Sequence, residues 1–206
     1  RFLLKNNMTI GVIIPKLNNR PKYIKEALNS VQKQTYSPSE IIIVNNGTGE
    51  VDLSEINLNI RQIKMIFRAG VAQARNFGAS MANSDYIAFL DDDDMWDHRY
   101  LEHMINKINN EKPDCLIAKL DQLSDGKIVD YKNAQGQIRK DILMVRNPGI
   151  NGSSVVFKKK IFLDVGGYNP KLTPSEDKTL IFELIKNGSF IVSVPESKAV
   201  LRKKRD

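Results

Sequence analysis

Four consecutive aspartates, Asp91 to Asp94, follow directly on the apolar run Tyr86-Ile-Ala-Phe-Leu90. Four ionised carboxylates cannot share a buried strand, because repulsion and desolvation would be severe. At a strand end they need a cation. Positions one and three of an extended segment point the same way, which gives Asp91 and Asp93 one common target. Their hard oxygens suit Mg²⁺ or Mn²⁺, and a metal held by so few protein carboxylates takes its other ligands from a phosphate. The competing reading is a solvated acidic turn, with Asp94 or Asp97 as N-cap of the next helix. The apolar strand ahead of the cluster favours the metal.

The elements that must position this cluster are legible in the hydrophobic pattern. Thr9–Ile14 and Ile41–Val44 read as buried strands, Ile63–Phe67 as a third and Tyr86–Leu90 as a fourth. Between them, helices open at Pro21 and at Gly70, the second with Val71, Ala74, Phe77 and Met81 on one face. Alternating strands and helices with short links predict a doubly wound, mostly parallel α/β sheet flanked by helices. Ligands of such sheets sit beyond the carboxyl ends of the strands. Here those ends carry Lys16-Leu17-Asn18, Asn45-Asn46-Gly47, Arg68-Ala69-Gly70 and the four aspartates. After Trp96 the spacing predicts a helix over 99–110, a strand over 115–120 and an irregular hairpin and loop region over 121–150. A strand over 153–157, helices over 160–165 and 176–187, and two late strands at 190–194 and 199–201 complete the chain. The alternation is lost in this half, which predicts a mixed sheet there. No boundary interrupts the chain, so 1–206 reads as one domain, with halves meeting near residue 97.

Composition narrows the function. The chain has 206 residues, 41% apolar and 27% charged, so wholesale disorder is excluded. Net charge is +7, and residues 1–90 hold eleven basic against six acidic residues. That excess suits an anionic partner, but the chain lacks an aromatic-and-basic nucleic-acid motif. The single cysteine, Cys115, excludes an internal disulfide framework and a Cys-rich zinc site, and its apolar neighbours mark a buried thiol. No apolar stretch reaches membrane-spanning length and no signal peptide is visible, which makes the cytoplasm the expected compartment. The chain begins at Arg1 rather than Met, which reads as an excised part of a longer protein.

Several stretches carry a resemblance when taken in order: Val12-Ile-Ile-Pro-Lys-Leu-Asn18, Leu28-Asn-Ser-Val-Gln-Lys-Gln-Thr-Tyr36, Glu40-Ile-Ile-Ile-Val-Asn-Asn-Gly47, Gly70-Val-Ala-Gln-Ala-Arg-Asn-Phe-Gly78, Phe89-Leu-Asp-Asp-Asp-Asp94 with Trp96, and Val165-Gly-Gly-Tyr168 followed by Ser175-Glu-Asp177. Together they resemble the family 2 inverting glycosyltransferases, which have the GT-A fold. The aspartates are similar to that family's DxD motif. The resemblance covers nearly the whole chain, from about Thr9 to Arg202.

The resemblance implies roles residue by residue. Pro15, Lys16, Leu17, Asn18, Asn45, Asn46, Arg68, Gly70, Arg75, Asp91 and Asp92 would line the nucleotide-sugar donor, UDP- or dTDP-linked by implication. Asp93, with Asp91, would hold Mn²⁺ or Mg²⁺ on the diphosphate. Arg75, one turn into its helix, would contact pyrophosphate or base. Asp177 resembles the general base that deprotonates the acceptor hydroxyl, with Glu176 as the fallback and Ser175 as a helix cap. Trp96 reads equally as an acceptor platform or a core residue. Asn151 and Gly152 fall where the family has acceptor-facing segments.

The implied function is metal-dependent, inverting transfer of a sugar to a hydroxyl of a glycan or lipid-linked saccharide in polysaccharide or cell-surface glycan biosynthesis. A peripheral contact with the inner face of the membrane goes with such an acceptor and with the basic tail Arg202–Arg205. Two departures stand out. Lys16-Leu17 replaces the family's Thr-Tyr pair, and Asn45-Asn46 replaces its Asp-Asp. These favour the alternative, a degenerate GT-A module that binds nucleotide or glycan without turnover. The intact Asp91, Asp93 and Asp177 set opposes it. A nucleotidyltransferase would need a glycine in the loop after the first strand, and Lys16–Arg20 has none.

Overall fold

The computed structural model describes residues 7–17, 21–47, 49–66, 69–136, 138–172 and 174–203. Along the chain run β1 (Ile10–Lys16), α1 (Pro21–Gln32), β2 (Glu40–Asn45), β3 (Ile60–Lys64), α2 (Val71–Met81), β4 (Tyr86–Phe89), β5 (Met95–Trp96) and α3 (Tyr100–Glu111). Then follow β6 (Cys115–Ser124), β7 (Lys127–Lys132), α4 (Lys140–Val145), β8 (Val155–Lys158), α5 (Lys159–Asp164), α6 (Glu176–Lys186) and β9 (Ile191–Arg202). Short 3-10 turns cover Gly152–Ser154 and Pro170–Leu172.

The strands form one sheet in the order β3-β2-β1-β4-β8-β6-β9-β5, with β7 paired to β6. The first four strands are parallel. From β8 onward the sheet is mixed: β8 runs antiparallel to β4 and β6, β9 parallel to β6, and β5 antiparallel to β9. This is the α/β sheet with a mixed C-terminal half that the hydrophobic pattern predicts. Pro15 has no N–H to give, and it lies beyond the last residue of β1 paired to β4.

Two apolar layers cover the sheet. On one face Ile24, Ala27, Leu28 and Val31 of α1 and Leu101, Met104 and Ile108 of α3 pack on Ile10, Val12 and Ile14. On the other, Ala74 of α2, Phe162 of α5 and Leu180, Ile181 and Leu184 of α6 pack on Ile13, Val44, Phe89 and Phe157. Helix α2 sits especially close. A Cβ built on Gly78 would lie 2.4 Å from Cγ2 of Ile13, so only glycine lets this helix lie flat on β1 and β2. That approach carries Arg75, one turn earlier, over the strand ends.

Four differences from the pattern have physical causes. β3 begins at Ile60 rather than Ile63, because an edge strand with one neighbour tolerates the exposed Arg61 and Gln62. The two late strands are one, β9. Its register against β6 jumps from Ala118–Val194 to Lys119–Lys198, which loops out the Pro195 segment that breaks the apolar pattern. Helix α4 arises inside the expected loop region and buries Leu143 alone, too little to leave a periodic signal. The strand expected from Ser153 starts at Val155, since Gly152–Ser154 takes 3-10 form.

Candidate active site

Asp91–Asp94 forms a turn, closed by the Asp94 N–H donating to the Asp91 carbonyl at 3.2 Å. The segment is therefore not extended, and strand alternation does not set the side-chain directions. The turn itself separates them: Asp92 and Asp94 are buried, while Asp91 and Asp93 stay half-buried. Asp92 Oδ2 accepts the Leu17 N–H at 3.1 Å. Asp94 accepts the Ser153 hydroxyl at 2.7 Å and the Arg202 N–H at 3.1 Å. Burial, and next the charge of Asp91, push the Asp94 pKa up to about 8. The solvated-turn reading is thus corrected. Asp94 does not cap a helix, and Asp97 accepts the Arg99 N–H at 3.1 Å, ahead of α3, whose N-cap is Arg99.

Arg75 is the centre of the site. It is 2% exposed, and its guanidinium meets three carboxylates: Asp91 Oδ1 at 2.6 Å, Asp177 Oδ1 at 3.2 Å and Glu176 Oε1 at 3.8 Å. Its Cζ lies 5.2 Å from the centre of the Tyr168 ring. Burial disfavours the cation, yet Asp91 and Asp177 hold its pKa above even the ordinary arginine value. Asp177 moves oppositely to a normal surface aspartate. Burial raises it to about 6, Arg75 pulls it down, and the charges of Asp91 and Glu176 push it up. Its side chain keeps 15% of its surface open. Glu176 Oε2 and Arg75 Nε are buried without a hydrogen-bond partner among the described residues. Ser175 stands at the N-cap of α6, as expected, though its side chain makes no cap bond.

Gly152 closes the site from the far side. A Cβ there would fall 2.1 Å from an Arg75 guanidinium nitrogen. Gly152→Ala must therefore displace Arg75 from Asp91 or distort the turn. The expected cost is about 1–3 kcal/mol of stability, read by urea denaturation; a loss below ~0.5 kcal/mol would contradict this packing. This buried glycine faces Arg75. Asn151 is also turned inward, its side chain accepting the Ser153 N–H at 2.8 Å. Trp96 is 4% exposed, stacked on Tyr100 at 4.3 Å, with its indole N–H donating to the Ser153 carbonyl at 2.7 Å. Burial and the stack on Tyr100 favour the core reading over the platform reading.

At the other strand ends the polar groups bind the chain itself. Lys16 is buried, and its ammonium donates to the Gly49 carbonyl at 3.1 Å and to Asn45 Oδ1 at 3.5 Å. Burial lowers its pKa, against the charge of Asp92. Asn45 also donates to the Gly49 carbonyl at 2.9 Å and accepts the Gly47 N–H at 3.3 Å. Asn46 donates to the Ala69 carbonyl and accepts the Ala69 N–H at 2.7 Å, which pins the entry to α2. Gly70 caps α2, its N–H donating to Gln73 Oε1 at 2.7 Å. Asn18, Arg20, Arg68, Lys204 and Arg205 lie outside the described residues.

Of two further residues central to the geometry, Ser153 carried no local sequence signal and Arg202 carried only a similarity to the arginine of the resembled family's last strand. Ser153 sits in a plain Ser-Ser pair, and its importance arises only because β8 lies beside β4. Arg202 reads as part of a basic tail. It is instead the last residue of β9, its Nε donating to the Asp93 carbonyl at 3.1 Å and its guanidinium pairing with Glu26 and lying 4.2 Å from the Tyr23 ring. A cleft of about 510 Å³ behind the turn, lined by Glu26, Lys33, Trp96, Asp121 and Lys198 among others, contains none of Asp91, Arg75 and Asp177. The site is therefore defined by its charged cluster.

Comparison with known proteins gives the family and the fold. The family model "Glycosyl transferase family 2" matches residues 11–166. The chain belongs to that family. It is 27% identical to an uncharacterised glycosyltransferase of Rickettsia conorii over 190 residues, covering 86% of this chain and 31% of that protein. Against glycosyltransferase GlyG of Streptococcus pneumoniae it is 27% identical, covering 95% of this chain and 71% of GlyG. The chain thus spans under a third of the Rickettsia protein. Among solved structures, S. aureus TarS in complex with UDP-GlcNAc has a TM-score of 0.75 at 20% identity, covering 97% of this chain and 60% of that one. GalNAc-T7 with UDP, GalNAc and Mn²⁺ has a TM-score of 0.75 at 17% identity, covering 98% and 45%. These likenesses establish the GT-A-type fold.

Proposed function

We propose that this chain carries out metal-dependent, inverting transfer of a sugar from a nucleoside diphosphate sugar to a hydroxyl of a glycan or lipid-linked saccharide. The observation that supports it is the Asp91–Arg75–Asp177 arrangement. One buried cation links a carboxylate on the acidic turn to a carboxylate whose pKa, about 6, suits a general base at neutral pH. Asp177 takes the proton of the acceptor hydroxyl as that oxygen attacks the anomeric carbon. The bond from that carbon to the diphosphate oxygen breaks on the opposite face, and its electron pair leaves with the diphosphate. Arg75 keeps Asp177 and Asp91 in register and compensates their charge. In this division of labour residues up to about 97 hold the donor and the remainder the acceptor.

The fit to a metal rests on the donor set. Asp91 and Asp93 offer half-buried carboxylates on one turn, and hard oxygens of this kind suit Mn²⁺ or Mg²⁺. Among the described residues no group of three or more His, Cys, Asp or Glu side chains could hold a metal alone, so diphosphate oxygens would complete the shell. When bound, the metal supplies charge neutralisation for the departing diphosphate. UDP and UDP-GlcNAc in the TarS structures and Mn²⁺ in that of GalNAc-T7 favour a UDP- or dTDP-sugar donor and a divalent ion. The inner face of the membrane suits a lipid-linked acceptor, and among the described residues no helix is long and apolar enough to cross a membrane.

A second reading, a module that binds nucleotide or glycan without turnover, draws on Lys16, Asn45 and Asn46, whose polar groups bond to neighbouring loops. A thermal-shift series of UDP-, dTDP-, GDP- and CMP-sugars with and without Mn²⁺ tests donor use. The expected result is stabilisation by one donor class only with Mn²⁺, lost in Asp93→Ala. Stabilisation that ignores the metal would defeat the metal-dependent proposal. Binding with no transfer to any acceptor would favour the second reading.

A further inference from the structure

We propose that Ser153 is a positioning residue: through its hydroxyl it sets the acidic turn in the geometry that binds a divalent cation with a nucleoside diphosphate. This rests on the glycosyl-transfer reading of the site. Ser153 is fully buried, and three hydrogen bonds tie it to the segment from Asp91 to Trp96. Its Oγ accepts the Asp91 N–H at 3.0 Å and donates to Asp94 Oδ2 at 2.7 Å, while its carbonyl accepts the Trp96 indole N–H at 2.7 Å. The hydroxyl thus joins the first and last aspartates of the turn, and Asp93 lies between them.

The clamp has chemical logic. A hydroxyl is donor and acceptor at once, so one oxygen satisfies a backbone N–H and a buried carboxylate together. Alanine does neither, so the Asp91 N–H and Asp94 Oδ2 both lose this partner in the interior, while Asp94 Oδ1 keeps the Arg202 N–H. The opposite side of the turn is held by Arg202, whose N–H reaches Asp94 and whose Nε reaches the Asp93 carbonyl. Arg202 therefore grips residues 93 and 94, and Ser153 alone of the two bonds Asp91. Because Asn151 caps the 3-10 turn and Gly152 abuts Arg75, Ser153 is also fixed relative to the guanidinium that pairs with Asp91. Its hydroxyl adjusts the half-buried carboxylates without touching a ligand.

The test is calorimetric titration of UDP at a series of Mn²⁺ concentrations. In Ser153→Ala the Mn²⁺ concentration for half-maximal UDP binding should rise about tenfold, the loss expected when two buried hydrogen bonds of one hydroxyl disappear. Binding at saturating Mn²⁺ should return to within twofold of the wild type, which a general loss of structure would not allow. Trp96→Phe removes the bond to the Ser153 carbonyl and part of a core ring but leaves both hydroxyl bonds of Ser153 in place, and should leave the Mn²⁺ dependence within twofold. Should Ser153→Ala not fold, Ser153→Cys, a weaker donor and acceptor of similar shape, is read instead. Unchanged Mn²⁺ dependence in the folded Ser153 variant overturns the proposal, and so does an equal loss in Trp96→Phe. A wild type that binds UDP equally well without metal is a different result: it refutes the metal-dependent function itself.

Discussion

Asp177→Asn is expected to lower glycosyl transfer about 10²–10⁴-fold, the range lost with a general base, while UDP binding with Mn²⁺ stays within threefold of the wild type. The asparagine keeps the shape and one acceptor for Arg75 but takes no proton. In the wild type the rate should rise tenfold per pH unit up to about pH 6, where Asp177 becomes the carboxylate, and then level off. Stability runs the other way. The folded pKa lies above the ordinary carboxylate value, so the folded protein binds this proton more tightly than the unfolded chain. The contribution is present below about pH 4 and is lost as pH rises through 6. Asp177→Asn should therefore melt higher than wild type at pH 7.5, with the difference closing towards pH 4. Normal transfer by this variant, or a pH profile flat between 5 and 7, would assign the base elsewhere, Glu176 first.

The second large effect belongs to Arg75. Arg75→Met leaves Asp91, Asp177 and Glu176 facing one another without their cation. Breaking a buried ion pair from one side costs about 3–5 kcal/mol, because the remaining charge is stranded in the interior. Part of that loss is relieved when the carboxylates take up protons. The deficit against wild type should therefore be largest near pH 8 and shrink by pH 5, measured by urea denaturation at both values. A deficit below ~1 kcal/mol, or one independent of pH, would show that the three carboxylates do not depend on Arg75. Methionine matches the volume of the aliphatic stem, which separates the charge effect from a cavity.

Arg75 separates what is local in the sequence from what is not. Its helix was legible from Val71, Ala74, Phe77 and Met81, and its nearness to a strand end followed from the alternation of strands and helices. The resemblance singled it out as a ligand contact. The structure surrounds it with protein carboxylates, because α2 and α6 lie on the same face of the sheet and bring residues about one hundred positions apart into one cluster. No local pattern encodes such a meeting. Asn45 and Asn46 behave likewise: their types announced hydrogen bonding, but only the fold reveals that loop backbone receives it. Trp96 was open between two readings, and its stacking on Tyr100 decided for the core.

The sequence by itself determined the order of elements in the parallel half, the acidic cluster at the end of β4 and family membership, because periodic burial and short motifs are local properties. Tertiary structure decided which carboxylates face outward and which are locked inward. Asp91 to Asp94 are chemically identical, and their division into two half-buried and two buried groups comes from partners contributed by β9, the 3-10 turn before β8, and the end of β1. The pKa of Asp177 has the same origin, since burial and the neighbouring charges on α2 and at the end of β4 exist only once the sheet has gathered them.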